Sequence, residues 1–375
     1  MISRLWAISL KELLQLSRDR MTLAMMVALP VLQLLLFGYA IDTDVRHIPT
    51  VIFDQDQSAF SRDVSRRLVA TGFYDVIGEV GSYQEIERAL RSGVARVALV
   101  VPPGASRDQG RGTPVSLQLV LDGSDPQTVG SAINTAAGVA ASRGALLQQT
   151  RLAAAGMIAT GAPIQIEPTT WYNPEQKTAV YIVPGLVGVL LTMTMVMLTA
   201  MAIARERERG TLEQLIVSPL RNIELILGKI APFVAIGYVQ MSLVLFVGWV
   251  VFDVPVVGSL PLLYLLALLF IAANLALGLF FSTLAKTQQQ AMQMSFFFLL
   301  PNILLSGFMF PWDAMPEPAR ILSQALPNTH FLRIVRGIIL KGATLRDLAP
   351  ELLWLAGIFA ILVVVASLRF QKKLV

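Results

Sequence analysis

The chain has 375 residues, no cysteine and two histidines; 55% of it is apolar, 15% is charged and the formal net charge is +5, whereas a soluble domain has about 45–50% apolar and about 25% charged residues. This balance excludes a disordered chain, a basic nucleic-acid binder, an ordinary soluble enzyme, a disulfide-stapled secreted domain and a Cys-ligated metal or cluster site, and His47 and His330 are too few for a His-rich metal site. What is left is an integral membrane protein.

Residues 1–20 are amphipathic. Leu5, Ile8, Leu13 and Leu16 share one face, with Arg4, Lys11, Glu12, Arg18 and Asp19 elsewhere. The pattern is that of a helix lying in the membrane interface, or of a plain basic leader. Residues 21–41 are the first of six long apolar stretches, followed by 178–204, 227–252, 260–285, 288–310 and 350–369. Crossing ~30 Å of hydrocarbon takes roughly 20 residues of helix, so six spans are predicted. The first reads as a span and not a cleaved signal, because its apolar run exceeds the about 7–15 residues of a signal core.

Residues 42–177 have the chemistry of a water-facing domain. Their 12 Lys/Arg and 14 Asp/Glu leave a net charge of −2, so the rest of the chain carries +7. Strands are predicted at 50–53, 74–77, 97–101 and 116–121. Helices are predicted at 61–70, capped by Ser58, at 82–90, opened by a Ser82-x-x-Glu85 capping box, and over the Ala-rich 132–155. Alternating strands and helices make a small α/β domain. Asp54 and Asp56 after the first strand fit either a cation or strand-end turn chemistry. The domain has no Ser–His–Asp set and no phosphate loop, so it reads as a binding or docking module.

Three polar segments sit at the predicted membrane boundary. The first is residues 1–20. The second follows the second span: Arg205, Glu206, Arg207, Glu208, Arg209, Gly210, Thr211, Leu212, Glu213 and Leu215. Its charges repel at Arg205/Arg209 and pair poorly along a lone helix, so they fit a surface that faces a partner. The third, 311–349, is divided by prolines into short helical pieces. Leu326, Phe331, Ile334, Ile338 and Ile339 turn these back toward the bilayer, which is tolerated where protein covers the backbone. His330 reads as a hydrogen-bonded turn residue.

Thirteen Lys and Arg flank the spans on one side, which the positive-inside rule makes cytoplasmic together with both termini. Arg320, Arg333, Arg336, Lys341 and Arg346 break the rule, because 311–349 falls outside. Met193, Met195 and Met197 in the second span, with Met292, Met294 and Phe296 in the fifth, provide soft apolar surface. Such surface suits a pathway for varied substrates or simply fills gaps between helices.

Leu10-Lys11-Glu12 with Ser17–Arg20, then residues 206–213, then 306–336, resemble the three signatures of ABC-2 type permeases. The insert, with Asp54-x-Asp56-x-Ser58 and Leu121-Asp122-Gly123-Ser124, resembles the bacterial inner-membrane multidrug-efflux subgroup. The resemblance runs the length of the chain. It implies a six-helix, type V exporter-like membrane protein with the α/β domain inserted between helices 1 and 2. Lys11, Glu12, Arg18 and Asp19 would belong to the interfacial helix. Residues 205–226 would form the coupling helix that docks on an ATPase. Ser306, Gly307, Pro311, Pro327, Thr329, His330 and Arg336 would form the external gate, and Met193, Met197, Met292 and Phe296 would line the pathway. Gly228-Lys229-Ile230 lacks the upstream glycine and the hydroxyl of a phosphate loop. ATP and Mg are therefore expected on two separate ATPase subunits, with a second permease protomer (identical or paralogous) beside this one. A periplasmic adaptor stays open, and no nucleic acid is implied. The rival readings are a lipid or glycan exporter of the same fold and a membrane receptor that uses its outer domain.

Overall fold

A computed structural model describes residues 45–111, 113–155, 164–175, 177–210 and 222–369. Residues 1–20, the 21–41 stretch and Thr211, Leu212, Glu213 and Leu215 of the coupling segment lie outside the described residues.

The described chain starts as an α/β domain: β1 (Ile48–Asp54), α1 (Ala59–Ala70), β2 (Tyr74–Glu79), α2 (Tyr83–Arg91), β3 (Val97–Val101), α3 (Ala105–Arg111), β4 (Val115–Asp122), α4 (Pro126–Ala155) and β5 (Ile164–Trp171). The five strands form one sheet in the order β2-β1-β3-β4-β5. All neighbours are parallel except β3 and β4. β3 is central, which explains its unbroken VALVV sequence: side chains alternate across a strand. Val97, Leu99 and Val101 meet Phe60, Val64 and Leu68 of α1 and Ala132 and Ala136 of α4 in one core. Ala98 and Val100 meet Ile86 and Leu90 of α2 in the other.

The caps carry the expected chemistry with one correction. Ser58 and Ser61 form a reciprocal capping box at α1. Ser82 caps α2 by accepting from Glu85 N, but the Glu85 carboxylate accepts from Gly81 N and not from the cap residue, so the box is open on that side. α3 and β5 were not anticipated. β5 (IQIEPTTW) carries Pro168 and Glu167 on an edge, where no apolar run is required. Asp54 accepts from Asp56 N, Gln57 N and Ser61 Oγ, and Asp56 accepts from Gly104 N, Ser106 N and Ser106 Oγ. That is turn chemistry, and no cluster of metal-ligating side chains occurs among the described residues.

The second part is helical: α5 (Thr178–Glu208), α6 (Asn222–Phe252), α7 (Leu260–Leu284), α8 (Gln288–Leu305), a 3-10 turn (Trp312–Ala314), α9 (Glu317–Gln324), α10 (Pro327–Lys341) and α11 (Ala349–Arg369). Among the described residues, four helical segments are long and apolar enough to cross a membrane: Thr178–Glu208, Pro232–Phe252, Leu260–Leu284 and Ala349–Leu368. α8 is not among them, since it opens on three glutamines and ends at Leu305, short of the expected 310. α5 runs to Glu208, past the expected limit of 204, so Arg205–Glu208 are helical.

α10 begins with Pro327 in its first turn, which needs no N–H there, and stops at Gly342 in the left-handed conformation. Thirteen of its 15 residues are buried. The Phe331 ring stacks on Phe270 of α7 at 4.0 Å, and Ile334, Val335, Ile338 and Ile339 share that core. On the α5 side, Gly188 has no room for a Cβ, which would collide with Asn328 Oδ1. Small residues of this kind let two helix backbones approach. Within 311–349 it is α10 that is sunk into the bundle, with Phe331, Ile334, Ile338 and Ile339 buried as their spacing predicts. Replacing Phe331 with Ala should lower stability by about 3 kcal/mol, since it empties a fully enclosed aromatic site. Thermal unfolding in detergent checks this, with exposed Leu353→Ala as the near-neutral control.

Candidate functional site

The α/β domain meets one end of the helical bundle through a network of charges. The antiparallel register pairs Val97 with Leu121, which sets Arg96 beside Asp122. Asp122 N donates to Arg96 O at 2.9 Å, and Arg96 Nη1 donates to Asp122 Oδ2 at 2.8 Å. The same oxygen accepts from Lys341 Nζ, supplied by the last residue of α10. Lys341 Nζ also donates to Leu90 O at 3.1 Å, at the C-terminal end of α2, where a cation is favoured. Both side chains are buried, Asp122 at 0% exposure and Lys341 at 5%. Gly123 is needed next to them, because a Cβ there would strike Thr170 and the Trp171 carbonyl.

Burial alone would raise the Asp122 carboxyl, but Lys341 and Arg96 overcome it and bring it down to about 2. Its folded pKa lies below the ordinary 3.8. The stabilising contribution is thus complete above the ordinary value and is lost as pH falls toward the folded one. Burial, together with the neighbouring Arg96 and Arg336, pulls the Lys341 ammonium down, and Asp122 opposes that shift. Burial raises Asp125, against the pull of Arg336 and Arg96. The network extends through Arg96 Nε, which lies 3.6 Å from Asp313, and Arg91 Nε, which lies 3.4 Å from Asp347.

Of the seven residues assigned to the external gate, Ser306, Gly307 and Arg336 line one cavity with Arg96 and Lys341, while Pro311, Pro327, Thr329 and His330 lie outside its lining. Ser306 caps α8 and is buried. Gly307 takes φ +84°, and its carbonyl accepts from Tyr181 Oη and Arg336 Nη1. Arg336 also lies 3.9 Å from the Tyr181 ring of α5. Pro311 precedes the 3-10 turn, and Pro327 and Thr329 open α10, where Thr329 Oγ1 donates to Ser323 O at 2.7 Å. His330 is buried and hydrogen-bonded, with Nδ1 2.6 Å from Glu351 Oε2 and Nε2 2.9 Å from Gln324 O. Arg333 completes the set on Glu351 Oε1 at 2.8 Å. Three of the five cations that break the positive-inside rule are thus held within the chain: Arg333 by Glu351, Lys341 by Asp122, and Arg320 by the carbonyls of Asp313 and Met315. That excess of cations was the signal for this site. Its partners Asp122 and Arg96 were not foreseen.

A second cluster closes the opposite end of α5. Arg207 Nη1 donates to Ser282 O and Ala285 O at 2.9 and 2.7 Å, and so covers carbonyls at the C-terminus of α7. Glu208 accepts from the backbone N and side-chain Nε2 of Gln288 at 2.9 and 2.5 Å, at the N-terminus of α8. A cation on a helix C-terminus and an anion on an N-terminus both satisfy orphan backbone groups and oppose the helix dipole. The charges after the second span were expected to face a partner. Arg207 and Glu208, with Arg205 through Gln288 Oε1, instead face this chain's own α7–α8 turn. Arg209 and Gly210 are exposed beyond it.

The pathway residues are divided. Met195 is fully buried, and Met294 packs against a core. Met193 and Met197 are half-buried on α5, while Met292 and Phe296 are exposed one turn apart on α8.

A family model described as ABC-2 family transporter protein matches residues 20–368. The chain is 31% identical over 358 residues to the probable multidrug ABC transporter permease YbhR of Escherichia coli K12, with 94% of each chain covered. It is 28% identical over 374 residues to the probable multidrug ABC transporter permease YbhS of the same organism, covering 99% of this chain and 97% of that one. To the inner membrane transport permease YhhJ, also from E. coli K12, it is 28% identical over 331 residues, covering 87% and 86%.

Two outcomes follow from the geometry. Asp122→Asn leaves buried Lys341 without a counter-charge and Arg96 with only Asp313 at 3.6 Å, and should cost about 3 kcal/mol, whereas Lys341→Met leaves Asp122 paired with Arg96 and should cost less. Thermal unfolding of the two variants gives the order. Arg207→Ala removes two charge-assisted bonds and should cost about 1–3 kcal/mol, while exposed Arg209→Ala should leave the melting temperature unchanged.

Proposed function

The chain belongs to the ABC-2 transporter family, and from that premise we propose that it is the permease subunit of an ABC exporter driven by ATP hydrolysed on two separate ATPase subunits. Family membership and the apolar helices make it a multi-pass membrane protein. In this reading residues 21–41 supply the first span and residues 288–310 the fifth, which gives six. The α/β domain is then inserted between the first and second spans, and both termini face the cytoplasm of a bacterial inner membrane. Residues 1–20, with Lys11, Glu12, Arg18 and Asp19, lie in the interface.

The observation that carries the mechanism is that α5 joins both clusters. Its 31 residues form a rod of about 46 Å at 1.5 Å per residue. One end is tied to the α7–α8 turn by Arg207 and Glu208, and the other to Arg336 and Gly307 by Tyr181. A push on the segment beyond Gly210 by a closing ATPase dimer would move this rod as a unit. The motion would loosen the seat of α10 at the outer end, opening a pathway between two protomers by rigid-body displacement. The docking element is the coupling segment from Glu206 through Arg209 and Gly210 to residues 211–215, with Glu206 and Glu213 as its acidic contacts.

The relatives named as multidrug permeases support hydrophobic or amphipathic substrates. So do the exposed apolar faces of α6 and α8, including Phe246, Trp249, Met292 and Phe296. These faces would meet lipid or the second protomer.

The test is co-purification with ATPases encoded nearby, combined with drug accumulation. Glu213→Arg should abolish both ATPase capture and efflux while leaving the melting temperature unchanged. Retention of capture and efflux would overturn the docking assignment.

A further inference from the structure

The short helix α9, which leads into α10, has two unlike sides. On one, Ser323 is buried and its carbonyl accepts from Thr329 Oγ1 of α10. Arg320 also turns inward, with Nε and Nη2 donating to the carbonyls of Met315 and Asp313 at 2.9 and 2.6 Å. On the other side Pro318, Ile321, Leu322 and the cap residue Ala325 are exposed, at the spacing that sets residues along one helix face. Ile321 and Leu322 are 63% and 60% exposed. No described element covers this apolar stripe.

Its neighbour is a helix able to cross a membrane. The carbonyl of Gln324, at the end of α9, lies 2.9 Å from His330 Nε2. The His330 ring in turn stacks on Trp354 of α11, with centroids 5.8 Å apart. Ile321 and Leu322 stand within one turn of Gln324, about 5 Å along the axis at 1.5 Å per residue. Trp354 lies near the start of the span Ala349–Leu368, and it and Leu353 are 53% and 73% exposed. An exposed tryptophan near the end of a span marks the headgroup level, where its ring has an apolar and a wet side. A short helix beside that level, apolar outward and bonded to protein inward, fits the interface plane with its apolar side toward the acyl chains.

We propose that α9 is a membrane-interface anchor, with Ile321 and Leu322 inserted among lipid acyl chains beside the start of α11 while Ser323 and Gln324 hold the first turn of α10. The occupant of the stripe is lipid and not a second copy of the chain. The stripe lies beside exposed residues of a helix apolar enough to cross the bilayer, and its four side chains fall far short of the roughly 20 residues a side of a stable protein interface. Lipid at this place helps to seat α10. The inference rests on α11 crossing the membrane, and is independent of ATP coupling and of which side of the membrane this end faces.

The chain has no cysteine, so Ile321→Cys and Leu322→Cys each give a single labelling site, at exposed positions that leave the packed side of α9 intact. Each full-length variant carries a bimane label and is placed in nanodiscs, which leave both membrane faces open to solvent. Emission is measured with phosphatidylcholine bearing a doxyl spin label near the ester end of an acyl chain, and separately with aqueous iodide. Leu353→Cys on α11 is the lipid reference. Gln55→Cys, exposed in the turn after β1, is the aqueous reference. Doxyl lipid should lower emission at both α9 positions about twofold, close to its effect at Leu353, because an interfacial helix inserts its apolar face about 5–10 Å. Iodide should quench them far less than Gln55. Doxyl quenching no greater than at Gln55 would overturn the proposal, whether iodide acts instead, as in water, or neither agent does, as under a second protomer. If Leu353→Cys still responds to doxyl lipid in that case, the span stands and the placement of α9 alone fails; if it does not, the membrane reading of α11 fails with it.

Discussion

The arrangement of the whole molecule depends on one buried ion pair. Asp122 ends a strand of the α/β domain, and Lys341 ends the helix that lies sunk in the bundle. Both side chains are buried, so Lys341 is tolerable only while Asp122 is in place, and Asp122 only while Lys341 or Arg96 faces it. Such a pair adds little net stability compared with apolar residues of the same volume, but any other arrangement exposes it to a large penalty. Its effect is therefore geometric. Arg96 strengthens this by giving Asp122 two cations in place of one.

The opposite end of the bundle obeys a related constraint. The turn between α7 and α8 leaves carbonyls at the end of one helix and N–H groups at the start of the next, all needing partners. α5 supplies both, with Arg207 on the carbonyls and Glu208 on the N–H. The same helix carries Tyr181 against Gly307 and Arg336 at its other end. One continuous helix thus takes part in both polar clusters. A helix held at its two ends by directional bonds transmits displacement better than one held only by apolar packing, which can slide.

Much of this was legible in the order of residues. Val97–Val101 reads as a central strand, because five consecutive apolar residues have two faces to bury. Ser58 and Ser82 mark helix starts, because a hydroxyl there satisfies free N–H groups. Leu326, Phe331, Ile334, Ile338 and Ile339 show a helix packed inward, and burial of α10 follows. β5 was missed because an edge strand faces too little core to need an apolar run. Asp122 was noticed only as part of the Leu121-Asp122-Gly123-Ser124 motif. Its partner lies 219 residues away, and nothing local marks a carboxylate for a distant ammonium.

By itself the sequence determined the membrane setting, the water-facing α/β region, the helix-rich remainder and the segments where charge meets apolar chain. These follow from hydrophobic periodicity and capping, which act over a few residues. The tertiary structure decided what the charges do. Arg207 and Glu208, read as facing a partner, close the chain's own helix ends, and two of the cations that broke the positive-inside rule, Arg333 and Lys341, pair with carboxylates from other elements. Charge pairing depends on distance in space and on burial, and both are set only when the sheet register and the helix packing bring remote positions together.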